Sequence, residues 1–364
     1  MKIIHTADLH LDSKMESNLD KEKATVRREE LLHTFQRMVE YASLHEVRVI
    51  MLSGDVFDKP HVRKSAKQIV LDAICEHPEI DFMYLQGNHD KADFFSDMNR
   101  DLPENIRTFS EDEWTSFEYD EDIVITGREI TKDNNKTLSA SLVLDHSKVN
   151  IVMLHGQESD YDGADKTEVI NLNALKNKNI DYLALGHIHS YKNERLDDRG
   201  EYAYSGCLEG RGFDECGEKG FVLLDIKDHK VDSEFIPFAK RTLHEETVTV
   251  NPEMSMADIV SEAEEKVKEI PSGDLVKIVL SGNKDMDFDI DLPRIKRTFE
   301  DRFFFFKLKD KTKVRVDYEK FRNDKSLKGE FVRLIEDDET LSEEDRGLII
   351  ELGVKAIMGE EIDI

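Results

Sequence analysis

The sequence predicts an α+β protein whose first part is a sandwich of β-sheets flanked by helices. Short apolar runs alternate with helical patterns through residues 1–85. Further strand patterns follow up to about residue 240, and a separate β-α-β-α-β pattern comes after them. Alternation of this kind is typical of largely parallel sheets that are covered by helices.

The first three strands and the two helices between them define the parallel part of the fold. Strands are predicted at residues 2–7, 47–52 and 82–85, and helices at residues 26–45 and 66–75. Both helical segments carry apolar residues at helical spacing, which gives each an apolar face. Right-handed crossover connections would place the three strands side by side and parallel.

Further strand patterns complete a first domain over residues 1–240. Residues 106–128 are hairpin-like, and residues 151–154 and 182–185 are short apolar runs typical of buried strands. Three later runs are interpreted as a closing β-meander, at residues 201–204, 220–226 and 233–237.

A small α/β domain is predicted for residues 241–317. Its strands and helices alternate, at residues 245–250, 256–268, 275–280, 292–302 and 303–308. The last strand contains four consecutive phenylalanines, Phe303 to Phe306. They could stack on nucleic-acid bases, but we expect at least two of the rings to face the domain's own core because strand side chains alternate.

Residues 318–364 carry two amphipathic helix patterns. The first has apolar residues at helical spacing, namely Leu327, Phe331, Leu334 and Ile335. The second begins at Ser342, whose spacing to Asp345 resembles a capping box. Two interpretations stay open: a packed helical hairpin with a solvated acidic face, or an element that docks into the apolar groove of a partner.

The composition of the chain excludes some classes of function and predicts its cellular compartment. The chain has 364 residues and a formal net charge of −28 at pH 7, which excludes a general electrostatic surface for nucleic acid or anionic membrane. A local phosphate site is still possible, since a bound cation inverts the local field. Three cysteines without a CxxC pair, and the lack of a signal-peptide or membrane-spanning pattern, predict a cytoplasmic protein with no membrane contact.

Five polar motifs each follow a predicted strand. They are Asp8-Leu9-His10, Gly54-Asp55-Val56-Phe57-Asp58, Gly87-Asn88-His89-Asp90, His155-Gly156 and Gly186-His187-Ile188-His189. A lone motif of this type is weak, but five in order, each after an apolar strand, are very improbable by chance. Ligands of open α/β sheets lie at the carboxyl ends of the strands, so the five motifs should converge on one cleft.

The residue types in these motifs indicate a metal centre. They supply carboxylates, imidazoles and one amide oxygen but no thiolate, which suits Mn²⁺, Fe²⁺ or Zn²⁺. On an extended chain, Asp8 and His10 would lie on one side, and so would His187 and His189. Seven ligands are too many for one tetrahedral ion and suit two ions that share a bridging carboxylate.

The motif series resembles the calcineurin-like metallophosphoesterase superfamily and, within it, the SbcD- and YhaO-type DNA repair exonucleases. The resemblance in motifs covers about residues 1–240. It implies a four-layer α/β/β/α sandwich, a small α/β capping domain beside the active site, and a helical segment that binds an SbcC-like, SMC-type ATPase.

The resemblance also implies roles for the motif residues. One metal ion would be held by Asp8, His10, Asp55 and His189. The other would be held by Asp55, Asn88, His155 and His187. His89 would act as general acid or position the phosphate, and Asp58 would orient His89. The expected ions are two Mn²⁺, with Fe²⁺ or Zn²⁺ as alternatives.

The predicted function is a metal-dependent phosphodiesterase: a DNA exonuclease or endonuclease subunit of a repair complex. The alternative is the same chemistry on small nucleotides or phosphoproteins, whereas a non-catalytic scaffold is disfavoured because every motif position is filled. The acidic charge predicts weak DNA binding by the isolated chain. Related nucleases often pair through helices near the first domain, so residues 26–45 or 66–77 are candidates for a homodimer contact.

Two positions depart from the family pattern. Asp58 stands where some relatives have His, which leaves the partner of His89 open. Cys207 stands where Ser is expected, either as an oxidisable thiol near the cleft or as a near-isosteric replacement in a turn. The glycine-rich segment 209–220 could carry Arg211 to a substrate phosphate, although a plain hairpin connection is favoured.

Overall fold

The computed structural model describes most of the chain in two compact units. The described residues are 1–15, 19–58, 62–87, 102–120, 122–159, 168–286, 288–316, 318–321 and 323–358. The first unit is Met1–Thr242 and the second is Leu243–Ile364. The further division of the second unit at residue 317 stays a prediction.

Within the described residues, the first sheet has six strands. Numbered in chain order and given in their order across the sheet, they are β14 (Lys230–Pro237), β13 (Gly220–Lys227), β1 (Lys2–Thr6), β2 (Val47–Ser53), β3 (Asp81–Leu85) and β4 (Ile106–Thr108). The strands β1 to β4 run parallel, and β13 is antiparallel to both of its neighbours. The parallel pairing predicted for the first three strands is confirmed. Residues 106–108, which were expected within a hairpin, instead add a fourth parallel strand.

A second sheet, also of six strands in the part of the chain described, contains the other strands of the first unit's sandwich. In their order across the sheet they are β11 (Lys192–Arg195), β12 (Glu201–Tyr204), β10 (Tyr182–Gly186), β7 (Val149–His155), β6 (Ile123–Gly127) and β5 (Thr115–Tyr119). The meander prediction was wrong for residues 201–204, which pair in parallel with β10. There Tyr202 and Tyr204 join the apolar cluster on the outer face of this sheet, and only β13 and β14 extend the first sheet.

The two sheets pack face to face and share one core. Ile3, Met51 and Met83 of the first sheet meet Ile151 and Tyr182 of the second, and all five side chains are buried. Because strand side chains alternate, each sheet also has an outer apolar face that must be covered.

Helices cover both outer faces of the sandwich. They are α1 (Lys21–Leu44) and α2 (Lys64–Cys75) on the first sheet, and α3 (Leu138–Ser141) and α4 (Leu172–Leu175) on the second. The predicted four-layer α/β/β/α arrangement is therefore confirmed. A short parallel ribbon, β8 (Gln157–Glu158) and β9 (Val169–Ile170), follows the end of β7.

A buried ion-pair network ties α1 to the last residues of the first unit. Arg27 donates to Glu30 at 2.6 Å and to Glu209 at 2.9 Å. Glu209 also accepts from the Thr34 hydroxyl at 2.7 Å, and Glu30 accepts from Arg241 at 3.0 Å. Burial acts to raise the pKa of Glu30, but the hydrogen bonds from Arg241 and Arg27 hold it below its usual value. Each buried charge thus has an opposite charge beside it.

The second unit begins with a parallel sheet and two helices. These elements are β15 (Leu243–Val250), α5 (Met256–Val267), β16 (Leu275–Asp285), α6 (Leu292–Phe299), β17 (Phe305–Asp310) and β18 (Lys313–Arg315). The strands β15, β17 and β18 each pair in parallel with β16. Phe303 and Phe306 are buried in the core beside Phe299. The prediction that at least two of the four phenylalanine rings face this core is confirmed.

Three helices form the end of the described chain. They are α7 (Tyr318–Phe321), α8 (Leu327–Glu336) and α9 (Glu343–Met358). The Ser342 hydroxyl accepts the Asp345 N–H at 3.1 Å, so the predicted cap is present. None of the helices in the described ranges has the length and apolar character needed to cross a membrane.

The apolar face of α8 differs from the predicted one. Val332 is fully buried against Ile350 of α9, whereas Leu327 and Leu334 are about 70% and 69% exposed. The face predicted from Leu327 and Leu334 was therefore wrong at those two positions. The helix is rotated so that Val332 and Phe331 meet α9 and its neighbours instead.

Arg27→Ala should lower the free energy of unfolding of the first unit by about 3–5 kcal/mol, because Glu209 would keep its buried charge without the guanidinium. The single tryptophan, Trp114, lies in this unit, so its fluorescence during urea denaturation measures the change. Arg195→Ala is the control, since its pair with Asp198 is exposed. For it we expect a change below about 1 kcal/mol. Equal losses in the two variants would contradict the role assigned to the buried pair.

Candidate metal centre

Four strands end together at one edge of the sandwich. β1 and β2 come from the first sheet, and β7 and β10 from the second. Because each pair is parallel, both carboxyl ends of the pair lie on the same side. Asp8, Asp55, His155 and His187 follow or end these four strands. Side chains from both sheets therefore meet at this edge.

Left-handed backbone turns aim the first of these side chains. Asp8 and His10 have φ angles of +53° and +41°, and Asp55 also has φ +53°. The Asp8 N–H donates to the Gly54 carbonyl at 3.0 Å, and the His10 N–H donates to the Asp55 carbonyl at 2.9 Å. The expected extended conformation at Asp8-x-His10 was wrong, because positive φ angles break the alternation of side chains.

Two glycines permit a close approach between the sheets. His155, on the second sheet, donates from Nδ1 to the Ser53 carbonyl on the first sheet at 2.8 Å. A Cβ atom on Gly54 would lie 2.1 Å from His155 Nδ1, and one on Gly186 would lie 2.0 Å from the Ser53 oxygen. Gly54 also has φ +91°, which favours glycine over other residues. Larger residues at these two positions would push the sheets apart.

Asp8, His10 and His189 form the first group of donor atoms. One ligand atom from each lies within 4.8 Å of the other two, and the Nε2 atoms of His10 and His189 are 3.2 Å apart. The Asp8 carboxylate accepts the His187 N–H at 2.9 and 3.0 Å, which orients it. Two imidazoles and one carboxylate around a common point are suited to a borderline divalent cation.

His155, His187 and Glu168 form the second group, again with one ligand atom from each within 4.8 Å. Asp55 lies between the two groups. Its Oδ2 atom is 3.5 Å from His155 Nε2 and 3.9 Å from His10 Nε2. This position suits a carboxylate shared by two cations. Glu168 was not among the sequence candidates, since it lies outside the five motifs.

His187 and His189 belong to different groups, although His-x-His was expected to present both on one side. His187 has φ +100°, so the backbone turns between the two side chains. The family resemblance also assigned these two histidines to different ions, and that assignment stays a prediction. Asn88 and His89 lie outside the described residues, and their roles stay predictions.

The local electrostatics favour a cation. Burial raises the pKa of Asp8 to about 6, although His155 and His189 act against it. Burial alone would lower the pKa of His155, but Asp55, Asp8 and Glu168 raise it to about 10. Burial thus disfavours the charged form of Asp8, whereas the nearby carboxylates favour the charged form of His155. Nitrogen and oxygen donors with this excess of negative charge fit divalent metal ions.

Glu215 is a second residue that sequence reasoning missed. It accepts from His189 Nδ1 at 2.8 Å and from the Arg211 guanidinium at 2.7 Å. Burial acts to raise the pKa of Glu215, but these two partners hold it well below its usual value. The bond directs His189 Nε2 towards His10, as carboxylates commonly do for metal-binding histidines. The only signal in the sequence was the glycine-rich composition of residues 209–220. The favoured interpretation of this segment as a plain hairpin connection did not predict a contact between Glu215 and His189.

Asp58, Arg211 and Cys207 lie around the first group. Asp58 is 3.9 Å from His10 Nδ1 and 3.9 Å from Arg211 Nη1. The thiol of Cys207 is buried, 3.7 Å from a Glu215 oxygen, and burial together with Glu215 raises its pKa well above the usual value. Cys207 is therefore near the site but has the character of a buried neutral thiol rather than a reactive thiolate.

Several known proteins are similar to this chain. Residues 1–191 match the family model described as calcineurin-like phosphoesterase. YhaO, an uncharacterised metallophosphoesterase of Bacillus subtilis, is 27% identical over 252 residues, which are 65% of this chain and 60% of that protein. The chain thus spans less than two thirds of YhaO.

Two further relatives carry names from DNA metabolism. The DNA double-strand break repair protein Mre11 of Saccharolobus solfataricus is 25% identical over 391 residues, covering 100% of this chain and 96% of that protein. The SbcD component of the nuclease SbcCD of Staphylococcus saprophyticus is 23% identical over 275 residues, covering 65% of this chain and 69% of that protein.

Gly54→Ala should weaken Mn²⁺ binding at least about tenfold, because the new methyl group displaces His155. Gly217→Ala is the matched control. It has a similar φ of +87°, but a methyl group there would have no other heavy atom within 4 Å, so it carries the same backbone strain without the clash. Isothermal titration of both variants measures the affinity. Equal weakening in the two would show that strain, and not the contact with His155, is responsible.

Glu215→Gln should weaken Mn²⁺ binding by about tenfold, because loss of the negative charge releases His189 from its fixed orientation. Glu218→Gln, an exposed change in the same segment, should leave the affinity unchanged. Metal titration gives the affinity, and thermal unfolding of each variant tests whether the fold is intact. An unaltered affinity in the Glu215 variant would contradict its positioning role.

Proposed function

This chain belongs to the calcineurin-like phosphoesterase family, and we propose that it is a two-metal phosphodiesterase that cleaves DNA as the nuclease subunit of a repair complex. The observation that carries the proposal is the pair of donor groups joined at Asp55. The Asp55 Oδ2 atom lies 3.9 Å from His10 Nε2 of the first group and 3.5 Å from His155 Nε2 of the second. Such a shared carboxylate is the arrangement of two-metal phosphoryl-transfer sites.

Each donor group would bind one of the two metal ions. One ion would be held by Asp8, His10, Asp55 and His189, and the other by Asp55, His155, His187 and Asn88. When bound, the ions, which we expect to be Mn²⁺, supply Lewis acidity towards the phosphoryl oxygens and lower the pKa of water.

The remaining polar residues orient groups or carry protons. Ser53 and Glu215 hold the Nδ1 atoms of His155 and His189 through hydrogen bonds of 2.8 Å each. Both bonds direct the Nε2 atoms towards the donor groups. His89 is the proposed proton donor to the leaving oxygen, and Asp58 is its proposed orienting partner.

DNA as the substrate is supported by the relatives and by the second unit. The match to Mre11 extends over the whole chain and therefore includes residues 243–364. A phosphatase for small molecules needs no such additional unit. Because the chain carries a net charge of −28, we expect its DNA affinity to depend on bound metal ions and on a partner.

An SMC-type ATPase is the proposed partner, and α8 and α9 are the proposed contact. Leu327, Leu334 and Leu348 on these helices are each more than half exposed. Exposed leucines on neighbouring helices are suited to an apolar surface of another protein.

Asp55→Ala should abolish cleavage of linear duplex DNA in Mn²⁺, with a loss of at least about 100-fold, because both cations lose a ligand. Asp198→Ala is the control, since this aspartate is fully exposed, and it should retain wild-type activity. Single-stranded DNA and bis-p-nitrophenyl phosphate are assayed in parallel.

The three substrates separate the candidate functions. Cleavage of duplex or single-stranded DNA that is lost in Asp55→Ala would support the nuclease. Cleavage of the small ester alone, also with the ATPase partner present, would favour an enzyme of small nucleotides or phosphoproteins. No hydrolysis of any substrate, or activity that persists in Asp55→Ala, would contradict the proposed site.

A further inference from the structure

We infer that Glu168 is an additional carboxylate ligand of the cation held by His155 and His187. This inference rests on the proposed two-metal site and goes beyond the seven ligands expected from the motifs. It assigns a role to a residue that no motif contains.

The position of the side chain is the first argument. One Glu168 carboxylate oxygen lies within 4.8 Å of a ring nitrogen of both histidines. Its Oε2 atom is 4.0 Å from His155 Nε2, the same nitrogen that lies 3.5 Å from Asp55. The two histidine nitrogens and this Glu168 oxygen therefore surround a common point that suits an ion. The Glu168 side chain is 17% exposed, so it lies at the wall of the site rather than in bulk solvent.

The backbone at Glu168 is held beside the second donor group. Its carbonyl accepts the Gln157 N–H at 2.9 Å, and the next residue, Val169, is paired with Gln157 in the ribbon of β8 and β9. A Cβ atom on Gly156 would lie 2.3 Å from the Glu168 carbonyl oxygen. Glycine therefore allows this strand to pass directly beside the residue that follows His155.

The chemistry of the added ligand predicts its effect. A carboxylate is a harder donor than an imidazole, and it brings one negative charge to an ion otherwise held by two histidines, Asn88 and Asp55. It should raise the affinity of this ion and shift the preference of the site towards Mn²⁺ and away from Zn²⁺. A carboxylate that served only as an ion-pair partner of His155 would not produce this difference between metals.

Glu168→Gln tests the inference, with Glu158→Gln as the matched control. Glu158 lies in the same ribbon and its side chain is 16% exposed, but it pairs with Lys192 at 2.6 Å. Isothermal titration of the full chain with Mn²⁺ and with Zn²⁺ measures both binding events, and thermal unfolding tests the fold. In Glu168→Gln, we expect the site that contains His155 and His187 to bind Mn²⁺ at least about tenfold more weakly than in the wild type. The Zn²⁺ affinity of the same site should fall less. Glu158→Gln should match the wild type.

The outcomes distinguish this inference from the proposed function. Two Mn²⁺ ions bound by Glu168→Gln with wild-type affinities would overturn the ligand role and leave the two-metal site intact. Equal losses for Mn²⁺ and Zn²⁺ would also overturn it, in favour of a general electrostatic effect. Fewer than two Mn²⁺ ions bound by the wild-type chain would overturn both the two-metal site and the inference.

Discussion

The hydrogen bond between His155 and Ser53 is the contact on which the candidate site depends. It joins the carboxyl end of β7 in the second sheet to the carboxyl end of β2 in the first, over 2.8 Å. Donor groups from two different sheets can share ions only if these strand ends lie this close. Gly54 and Gly186 make the approach possible, since a methyl group at either position would overlap the His155 ring or the Ser53 oxygen. The face-to-face packing of the apolar core brings the sheets together, and the glycines determine how closely they meet at this edge.

The candidate site combines strained backbone conformations with buried charges, and both lower the stability of a folded protein. Asp8, His10 and Asp55 adopt positive φ angles, and such conformations cost of order 1–3 kcal/mol each when the residue is strained. Buried carboxylates lie close enough to raise the pKa of His155 to about 10. The surrounding structure holds this arrangement through backbone bonds between the loops after β1 and β2. Strain and unbalanced charge of this kind are typical of functional sites.

The overall negative charge of the chain affects how it could bind an anionic substrate. A chain with net charge −28 repels DNA at long range, so binding of the proposed DNA substrate would have to come from short-range contacts at the donor groups. The Arg211 guanidinium lies 3.9 Å from the Asp58 carboxylate, and Glu215 holds it in place. The acidic surface and the proposed metal site are thus compatible, because bound metal ions would supply locally the positive charge that the surface lacks.

The sequence alone determined the family of the chain, the order of the principal strands and the convergence of four motifs at one edge. Each of these follows from local patterns: apolar runs of strand length, helical spacing between them, and polar residues directly after the strands. Tertiary structure decided how the donor atoms are grouped, with His187 in one group and His189 in the other. It also brought in Glu168 and Glu215, and it rotated α8 so that Val332, not Leu327 or Leu334, is buried. These features depend on left-handed turns and on contacts between distant segments, neither of which leaves a periodic pattern in the sequence.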